Sequence, residues 1–156
     1  MKLTSFTDYS LRVLIFLAAR PERRATIAEI ATAFEVSEHH LTKVVHFLGK
    51  EGWLATVRGK GGGIGLACSP DAICVGQVIR RTEGAVVAAQ CFDDGTSHCV
   101  IAPVCRLRGV LAEAISAFYK VLDNYTLADL VTNRDQLVQA LFFESPASIA
   151  ARKAAP

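Results

Sequence analysis

The first helix is indicated by the longest unbroken apolar run in the chain, from Val13 to Ala19. Polar residues precede this run, so a helix is predicted to begin at Ser5 or Thr7 and to end where an Arg-Pro pair follows Ala19. Because the helix is apolar on most sides, it is expected to be buried between other elements. Asp8 lies in its first turn, where a carboxylate suits the positive end of the helix dipole.

Two short amphipathic helices follow and are separated by a tight turn. The first begins at a capping box, in which Thr26 and Glu29 each bind the backbone N–H of the other. The second begins after Ser37, a residue type that commonly caps helices, and has one apolar face and one polar, weakly basic face. The apolar face consists of Leu41, Val44, Val45 and Leu48, and the outer face of His39, His40, Thr42, Lys43 and His46. This arrangement predicts a helix-turn-helix.

A β-hairpin is predicted directly after these two helices. Two short strand-like runs surround a glycine-rich tip, Gly59-Lys-Gly-Gly-Gly63. Taken alone, such a hairpin is only a loop, whereas behind a helix-turn-helix it is typical of a wing. Arg58 and Lys60 lie at the tip, where glycines such as Gly61 allow the backbone to approach another surface closely.

A winged helix-turn-helix binds duplex DNA by inserting its second, recognition helix into the major groove. On that expectation the outer face of this helix contacts bases or phosphates, its start binds a phosphate, and the wing tip enters the minor groove. The residues predicted to contact DNA are Ser37, His39, His40, Thr42, Lys43, Arg58, Lys60 and Gly61. The net charge is only +2, which leaves open a winged helix that contacts other proteins instead.

The second half of the chain is predicted to be helical around one irregular loop, so the fold is mainly α with a small β-hairpin wing. A short helix is expected from Ile73 to Thr82 and a long helix from about Cys105 to Leu122. The long helix carries two apolar stripes, so it is expected to pack on its own domain and on a second copy of the chain. The predicted segments are a winged helix-turn-helix domain over residues 1–72, a connecting helix and cysteine loop over 73–104, a dimerisation helix with C-terminal helices over 105–144, and a flexible tail over 145–156.

The composition of the 156-residue chain, 51% hydrophobic and 21% charged, is that of a globular protein. Its longest apolar run is far shorter than the roughly 20 residues that a membrane span needs, and with no secretory signal visible a cytoplasmic protein is expected. No nucleophile–base–acid set or phosphate-binding loop indicates an enzyme. Two of the five cysteines, Cys68 and Cys74, stand alone and are expected to be buried.

The other three cysteines, Cys91, Cys99 and Cys105, lie in the segment CFDDGTSHCVIAPVC. This segment is too polar to bury three thiols, and an odd cysteine count in a reducing compartment disfavours disulfides. A zinc site formed with His98 has a suitable composition, but adjacent His98 and Cys99 would strain a tetrahedral geometry. Three widely spaced thiolates suit the larger body of an iron–sulfur cluster, which would need a fourth ligand that the spacing does not identify.

Four stretches together resemble the IscR/NsrR-type iron–sulfur transcriptional regulators: the opening MKLTSFTDYSLRVL, the wing VRGKGGGI, the three-cysteine loop and DNYTLADLV. The resemblance extends from Met1 to about Phe143 and is strongest to the nitric-oxide-sensing NsrR branch. It implies a winged-helix domain with a long dimerisation helix, working as a homodimer on palindromic promoter DNA. It also implies a repressor with an iron–sulfur cluster, 4Fe-4S or else 2Fe-2S, that responds to nitric oxide and controls genes for nitrosative stress.

The same resemblance implies that the cluster is held by Cys91, Cys99 and Cys105. In the NsrR branch an aspartate near the N-terminus of the other subunit can complete the ligation, and Asp8 occupies that place. IscR uses a histidine shortly after the third cysteine, whereas a leucine and an arginine follow here. Seven residues separate Cys91 from Cys99, more than in those relatives. On the residues alone, a cluster-free thiol redox sensor and a zinc-bound regulator remain the alternatives.

Overall fold

The computed structural model describes residues 2–84 and 99–143, so the predicted tail and Cys91 lie outside the described part. The helices and strands there are α1 (Ser5–Ala19), α2 (Ile27–Phe34), α3 (Glu38–Lys50), β1 (Leu54–Val57), β2 (Gly63–Leu66), α4 (Val75–Glu83), α5 (Arg106–Leu122), α6 (Leu127–Leu130) and α7 (Arg134–Phe142). Short 3-10 turns cover Pro70–Ala72 and Ala102–Val104. This mainly helical architecture with a two-stranded antiparallel hairpin confirms the predicted fold class.

The helix-turn-helix begins at the capping box that the sequence predicts. The Glu29 N–H donates to Thr26 Oγ1 (3.2 Å) and the Thr26 N–H donates to Glu29 Oε2 (2.7 Å). The chain then turns through Glu35, which has a positive φ of 53°, the left-handed conformation that ends many helices. Ser37 is the N-cap residue of α3, although its side chain makes no capping hydrogen bond.

The central element is α1, which contacts α2, α3, α4, α6, α7 and β2. Two polar side chains are buried with it, and both have hydrogen-bond partners. Ser10 Oγ donates to the Phe6 carbonyl (2.8 Å), and Thr7 Oγ1 donates to Thr82 Oγ1 on α4 (2.9 Å). The residues of α1 with no exposed surface also include Val13, Leu14 and Ala18. The apolar run therefore forms the middle of the core, as predicted.

The two C-terminal helices pack back onto this core. Leu127 and Val131 are buried in it, and the ring of Phe142 on α7 lies 4.7 Å from the ring of Phe16 on α1. The guanidinium of Arg20 lies 5.0 Å from the Phe142 ring centroid, within the range of a cation–π contact. Thus α6 and α7 share one hydrophobic core with the helix-turn-helix, although they follow α5 in the chain.

The start of α4 differs from its prediction, since the helix begins at Val75 rather than Ile73. The Val75 N–H donates to the Tyr125 carbonyl (2.9 Å), and the Leu127 N–H donates to the Ile73 carbonyl (2.8 Å). These two bonds hold the chain around Cys74 in extended pairing with the segment before α6. The residues before Val75 therefore form a β-bridge, and the helix begins only after it.

By contrast, none of the 17 residues of α5 is buried by the described part of the chain. Among its apolar side chains Leu107 is 61% exposed and Val110 is 59% exposed. The C-terminal end of α5 is attached to α4, because Arg80 Nη1 and Nη2 donate to the two carboxylate oxygens of Asp123, both at 2.6 Å. Gly76 is required at this contact, since a Cβ there would lie 2.1 Å from Asp123 Oδ1.

The wing is joined to the segment that precedes α2. Strands β1 and β2 pair antiparallel, with Leu54 opposite Leu66. The Ala25 N–H donates to the Ile64 carbonyl (2.9 Å), and the Ile64 N–H donates to the Ala25 carbonyl (2.7 Å). Gly63 is needed at this junction because its φ is +141° and a Cβ there would lie 2.9 Å from the Ala25 carbonyl oxygen. The position of the wing is therefore set by three segments of chain.

Replacing Gly63 by alanine tests this junction. Gly63→Ala is expected to lower the free energy of unfolding by about 1–3 kcal/mol, because the backbone conformation is strained for alanine and the new methyl group collides with backbone. Gly65→Ala is a matched control in the same strand, where the new Cβ would meet only the Arg24 side chain at 3.7 Å. It should change stability by less than about 0.5 kcal/mol. Urea unfolding followed by circular dichroism measures both, and equal stabilities would contradict the assigned junction.

Candidate functional site

The outer face of α3 is positioned by the burial of its opposite face, formed by Leu41, Val44, Val45 and Leu48. The predicted DNA-contacting residues around this helix are all exposed, namely Ser37, His39, His40, Thr42 and Lys43, as is His46. Thr42 Oγ1 donates to the Glu38 carbonyl (2.8 Å), so its oxygen keeps the capacity to accept a hydrogen bond. The helical spacing thus places hydrogen-bonding side chains along one exposed side of α3.

Two aromatic contacts hold α3 against α1. The rings of Phe6 and Phe47 meet edge to face with centroids 5.3 Å apart, and Tyr9 stacks on His40 at 6.2 Å with an interplanar angle of 23°. A cavity of about 130 Å³ lies beside these rings, between the two helices. His40 therefore packs against α1 while its other side stays exposed, a contact that the sequence did not indicate.

The wing tip carries Arg58, Lys60 and Gly61, which are all exposed. Gly61 has a φ of +78°, and a Cβ at the next position, Gly62, would lie 2.3 Å from the Val57 carbonyl oxygen. Within residues 2–84 and 99–143, no carboxylate forms an ion pair with Arg58 or Lys60. The tight glycine turn therefore presents two cations whose charge is not neutralised by this part of the chain.

Two of the three clustered cysteines lie in the described part, in the segment that leads into α5, and both are free thiols. Cys99 is exposed, while Cys105 is half-buried and is the N-cap residue of α5, with a side chain that makes no capping hydrogen bond. Soft thiols that are not committed to other bonds suit an iron–sulfur cluster. Cys91 and His98 lie outside the described residues. No group of three or more His, Cys, Asp and Glu side chains within the described ranges could hold a metal ion.

Asp8 lies in the first turn of α1, as predicted, and forms an ion pair with Arg12 one turn further on (2.9 Å). Both side chains are more than two-fifths exposed, at 46% for Asp8 and 42% for Arg12. Because exposed pairs of this kind contribute little stability, another ligand can compete for the carboxylate. The geometry agrees with the helix-dipole interpretation and leaves the carboxylate accessible to a second molecule.

The expected burial of the two isolated cysteines was wrong in degree, since Cys68 and Cys74 are only half-buried. Cys68 packs against the core without being enclosed by it. Cys74 lies in the β-bridge before α4, which places its sulfur 3.9 Å from the Asp123 carbonyl oxygen near the surface. Backbone pairing, which a single residue's hydrophobicity does not indicate, determines this position.

Side-chain bonds that link α4 to three other helices were not found from the sequence. Beside the Arg80–Asp123 pair to α5, Arg81 donates to both carboxylate oxygens of Glu51 at the end of α3, at 2.6 and 2.8 Å. These hydrogen bonds from arginine lower the pKa of Glu51 and of Asp123. Glu83 at the end of α4 accepts from the N–H of Thr4, the N-cap residue of α1, at 2.8 Å. The partners lie too far apart in sequence for any helical or strand periodicity to connect them.

The exposed recognition helix, the anchored wing and the charged tip define a winged-helix DNA-binding protein of the transcription-regulator class. Residues 3–133 match the family model of Rrf2, described as an iron-dependent transcriptional regulator. The chain belongs to the Rrf2 family. No helix in the described ranges has the length and hydrophobicity needed to span a bilayer.

Similar proteins support the same class and confirm the predicted resemblance. The chain is 47% identical over 147 residues to the HTH-type transcriptional regulator NsrR of Halalkalibacterium halodurans, which covers 94% of this chain and 100% of that relative. It is 50% identical over 142 residues to NsrR of Bacillus subtilis, covering 90% of this chain and 97% of that relative. Among solved structures, CymR, the global cysteine regulator of B. subtilis, is similar with a TM-score of 0.68 and 30% identity, covering 85% of this chain and 98% of CymR. These proteins are regulators, in agreement with the expectation of a protein that is not an enzyme.

The wing tip gives the first test of the DNA-binding surface. Arg58→Ala should weaken operator binding by about 1–3 kcal/mol and relax sequence preference, because a guanidinium in the minor groove reads the width of the groove. Lys60→Ala should lower affinity by the same factor for all sequences, because a phosphate contact carries no base information. Fluorescence anisotropy with operator and random duplexes measures both effects. If a folded variant that carries both substitutions binds the operator with normal affinity, the wing does not contact DNA.

Proposed function

We propose that the protein is an iron–sulfur-dependent repressor that senses nitric oxide and controls genes of the nitrosative-stress response. The observation that carries the proposal is the position of the free thiols Cys99 and Cys105 in the segment that ends at the N-cap of α5, in a chain of an iron-dependent regulator family. The names of the NsrR relatives at 47% and 50% identity point to the same branch. The proposed activity therefore joins a thiol-based metal centre to a winged-helix surface.

The protein is proposed to act as a homodimer on palindromic promoter DNA. The apolar side chains Leu107, Val110 and Val121 of α5 support this assembly, because the described part of the chain leaves them exposed and a second α5 would bury them. A two-fold dimer presents two copies of α3 and of the wing, so its operator half-sites should be centred roughly 34 Å apart or a multiple of that distance. Ser37, His39, His40, Thr42 and Lys43 are the proposed DNA contacts of α3, and Arg58, Lys60 and Gly61 those of the wing.

The proposed cluster, 4Fe-4S or 2Fe-2S, would be held by Cys91, Cys99 and Cys105 of one subunit and by Asp8 of the partner subunit. When bound, such a cluster supplies iron atoms to which nitric oxide can bind. The chain contributes three soft thiolates and one hard, accessible carboxylate, which is already shared with Arg12 in a weak ion pair. Of these ligands the carboxylate would be the one most easily exchanged, and within its own helix it would keep Arg12 as an ion-pair partner.

The connection between the cysteines and the DNA-binding surface is proposed to run through α4 and α1. The cysteine loop joins the end of α4 to the start of α5, and α4 binds the last turn of α3 through Arg81 and Glu51. Asp8 itself is followed by Tyr9, which stacks on His40 of α3. A change in the loop or at Asp8 therefore acts on helices that directly contact α3.

Serine substitution of the cysteines tests the metal centre. Cys99→Ser or Cys105→Ser should remove the visible absorption of anaerobically purified protein and its nitric-oxide-dependent operator binding, because a hydroxyl is a poor replacement for a soft thiolate. Cys68→Ser is the matched control and should keep both properties. Loss of colour in a folded Cys68→Ser variant would mean that the ligands are wrongly assigned.

The alternative of a thiol sensor without iron is favoured only by the exposure of the free Cys99 thiol. The visible spectrum and metal content of the unmodified protein distinguish this alternative from the proposed iron–sulfur sensor. An anaerobic spectrum with no visible band, and no iron by elemental analysis, would support the thiol sensor. Zinc in place of iron would support the zinc-bound regulator.

Asp8→Ala separates the two interpretations of the aspartate. If Asp8 is only a first-turn carboxylate, its replacement should lower the free energy of unfolding by about 0.3–1 kcal/mol and change nothing else. A ligand of the partner's cluster should, when replaced, also change the visible spectrum and the rate of reaction with nitric oxide. Asp8→Cys should then give a site with four thiolates that reacts more slowly with nitric oxide.

A mixed dimer shows whether the ligation crosses between subunits. One subunit carries Asp8→Ala, and its partner carries serine at Cys91, Cys99 and Cys105. Ligation in trans gives this dimer one site with the spectrum of the unmodified protein, because the intact loop faces an intact aspartate. A spectrum equal to that of the Asp8→Ala homodimer would exclude Asp8 of the partner subunit as the ligand.

A further inference from the structure

A groove between the α1–α2 connection and the wing has no assigned role. It has a volume of about 700 Å³, which is many times that of a phosphate group. Its lining is the connection residues Pro21, Glu22, Arg23 and Arg24 on one side and the wing residues Gly61, Gly62, Gly65 and Leu66 on the other. The charged residues of the lining are two arginines, Arg23 and Arg24, and one glutamate, Glu22. The glycines of the opposite wall carry no side chains that could block the approach of a ligand.

The backbone at Arg24 is fixed beside this groove by the neighbouring residues. The next residue, Ala25, exchanges two backbone hydrogen bonds with Ile64 of β2, so the Arg24 backbone is fixed beside the wing. A Cβ on Gly63 would lie 3.1 Å from Arg24 Cβ, and a Cβ on Gly65 would lie 3.7 Å from Arg24 Cγ. The stem of the arginine therefore lies beside the glycines of β2, where only a side chain at Gly63 would crowd it.

The charges of the two neighbouring arginines are used differently. Arg23 forms an ion pair with Glu29, and its guanidinium lies 5.8 Å from the centroid of the Phe142 ring. Arg24 is exposed and has no ion-pair partner within residues 2–84 and 99–143. A planar guanidinium with five N–H donors matches the oxygens of a phosphate and can bind two of them at once. Arg24 is therefore the arginine of the groove whose charge is available to a ligand.

We infer that this groove binds a backbone phosphate of the operator, with Arg24 as its principal ligand, on the strand that passes the wing. The inference rests on the proposal that the wing contacts DNA. Arg58 and Lys60 at the wing tip would bring a DNA strand to the hairpin, and Arg24 lies beside the same hairpin, in the segment whose Ala25 bridges to Ile64 of β2. The contact fixes the position of the wing on the duplex and carries no sequence information.

The test measures the dependence of DNA affinity on salt in the full-length protein. Each contact with a phosphate of B-DNA contributes about 0.9 to the slope of log affinity against log salt concentration. Arg24→Ala should reduce that slope by about 0.9 and weaken binding several-fold, by the same factor for an operator selected in vitro and for a random duplex. Arg24→Lys keeps the charge and should keep most of the slope.

Arg23→Ala is the matched control, because its charge is already neutralised by Glu29, and it should leave the slope unchanged. Circular dichroism and thermal unfolding verify that every variant is folded. If Arg24→Ala keeps the slope of the unmodified protein while Arg58→Ala binds weakly, the groove does not bind a DNA phosphate. If both variants keep full affinity, the wing itself does not contact DNA, and the proposed DNA-binding surface fails with it.

Titration with inorganic phosphate distinguishes the source of the anion. Competition by millimolar phosphate that is lost in Arg24→Ala, together with the reduced DNA slope, supports a groove that recognises the phosphate group. Binding of inorganic phosphate that depends on Arg24, without any change in the DNA slope, would overturn the assignment to DNA. It would then make the groove a site for a free anion.

Discussion

The burial of α1 is the constraint on which the other elements depend. Its apolar run packs against α2, α3, α4, α6, α7 and β2, so each of these elements is oriented by the same helix. Burying one large aliphatic side chain contributes about 1.5–3 kcal/mol, and Val13, Leu14 and Leu17 of α1 are at most 2% exposed. A helix enclosed in this way tolerates polar groups only where they are hydrogen-bonded, as Thr7 and Ser10 are. The polar first turn, with Asp8, emerges from the core beside α3 and α4.

Helix α4 connects the core to α5, the helix that lies outside it. Arg80 and Arg81 are adjacent in sequence, yet one binds Asp123 at the end of α5 and the other binds Glu51 at the end of α3. Exposed ion pairs of this kind contribute little to stability, but bidentate bonds define the relative position of two helices well. A displacement of α5 must therefore break the first pair or move α4, and a moving α4 acts on α3 through the second.

The sequence predicted the elements whose signals are local. The capping box at Thr26, the apolar spacing of α3 and the glycine-rich tip each lie within one short stretch, so periodicity and turn chemistry were sufficient. The contacts of α7 with α1 and the bridge between Ala25 and Ile64 join segments that are distant in the chain. No pattern within either segment encodes such a contact, because each depends on how the helices pack. The start of α4 and the half-burial of Cys74 were predicted incorrectly for the same reason.

The candidate site was predictable to a similar degree. Exposure of the α3 outer face and of the wing tip followed from the apolar face opposite and from the glycine turn. Arg24 was not singled out, because nothing in its immediate sequence distinguishes it from Arg23. Only the fold shows that the ion pair with Glu29 takes one charge and leaves the other beside the wing. The ligand set of the cysteines stays a prediction, since it includes Cys91 and a second subunit.

The small net charge of +2, which left a role in protein contacts open, is compatible with DNA binding once the charges are placed. Arg12, Arg23, Arg80 and Arg81 are each paired with a carboxylate of the same chain. In the described ranges no such pair involves the cations of α3 and the wing, namely Lys43, Arg58 and Lys60, or Arg24 beside them. Counterion release depends on the cations that reach phosphates, and the total charge of the protein does not determine their number. Glu51 and Asp123 pair with arginines of α4 at other helix ends, so these acidic residues lower the net charge without neutralising the cations of the wing.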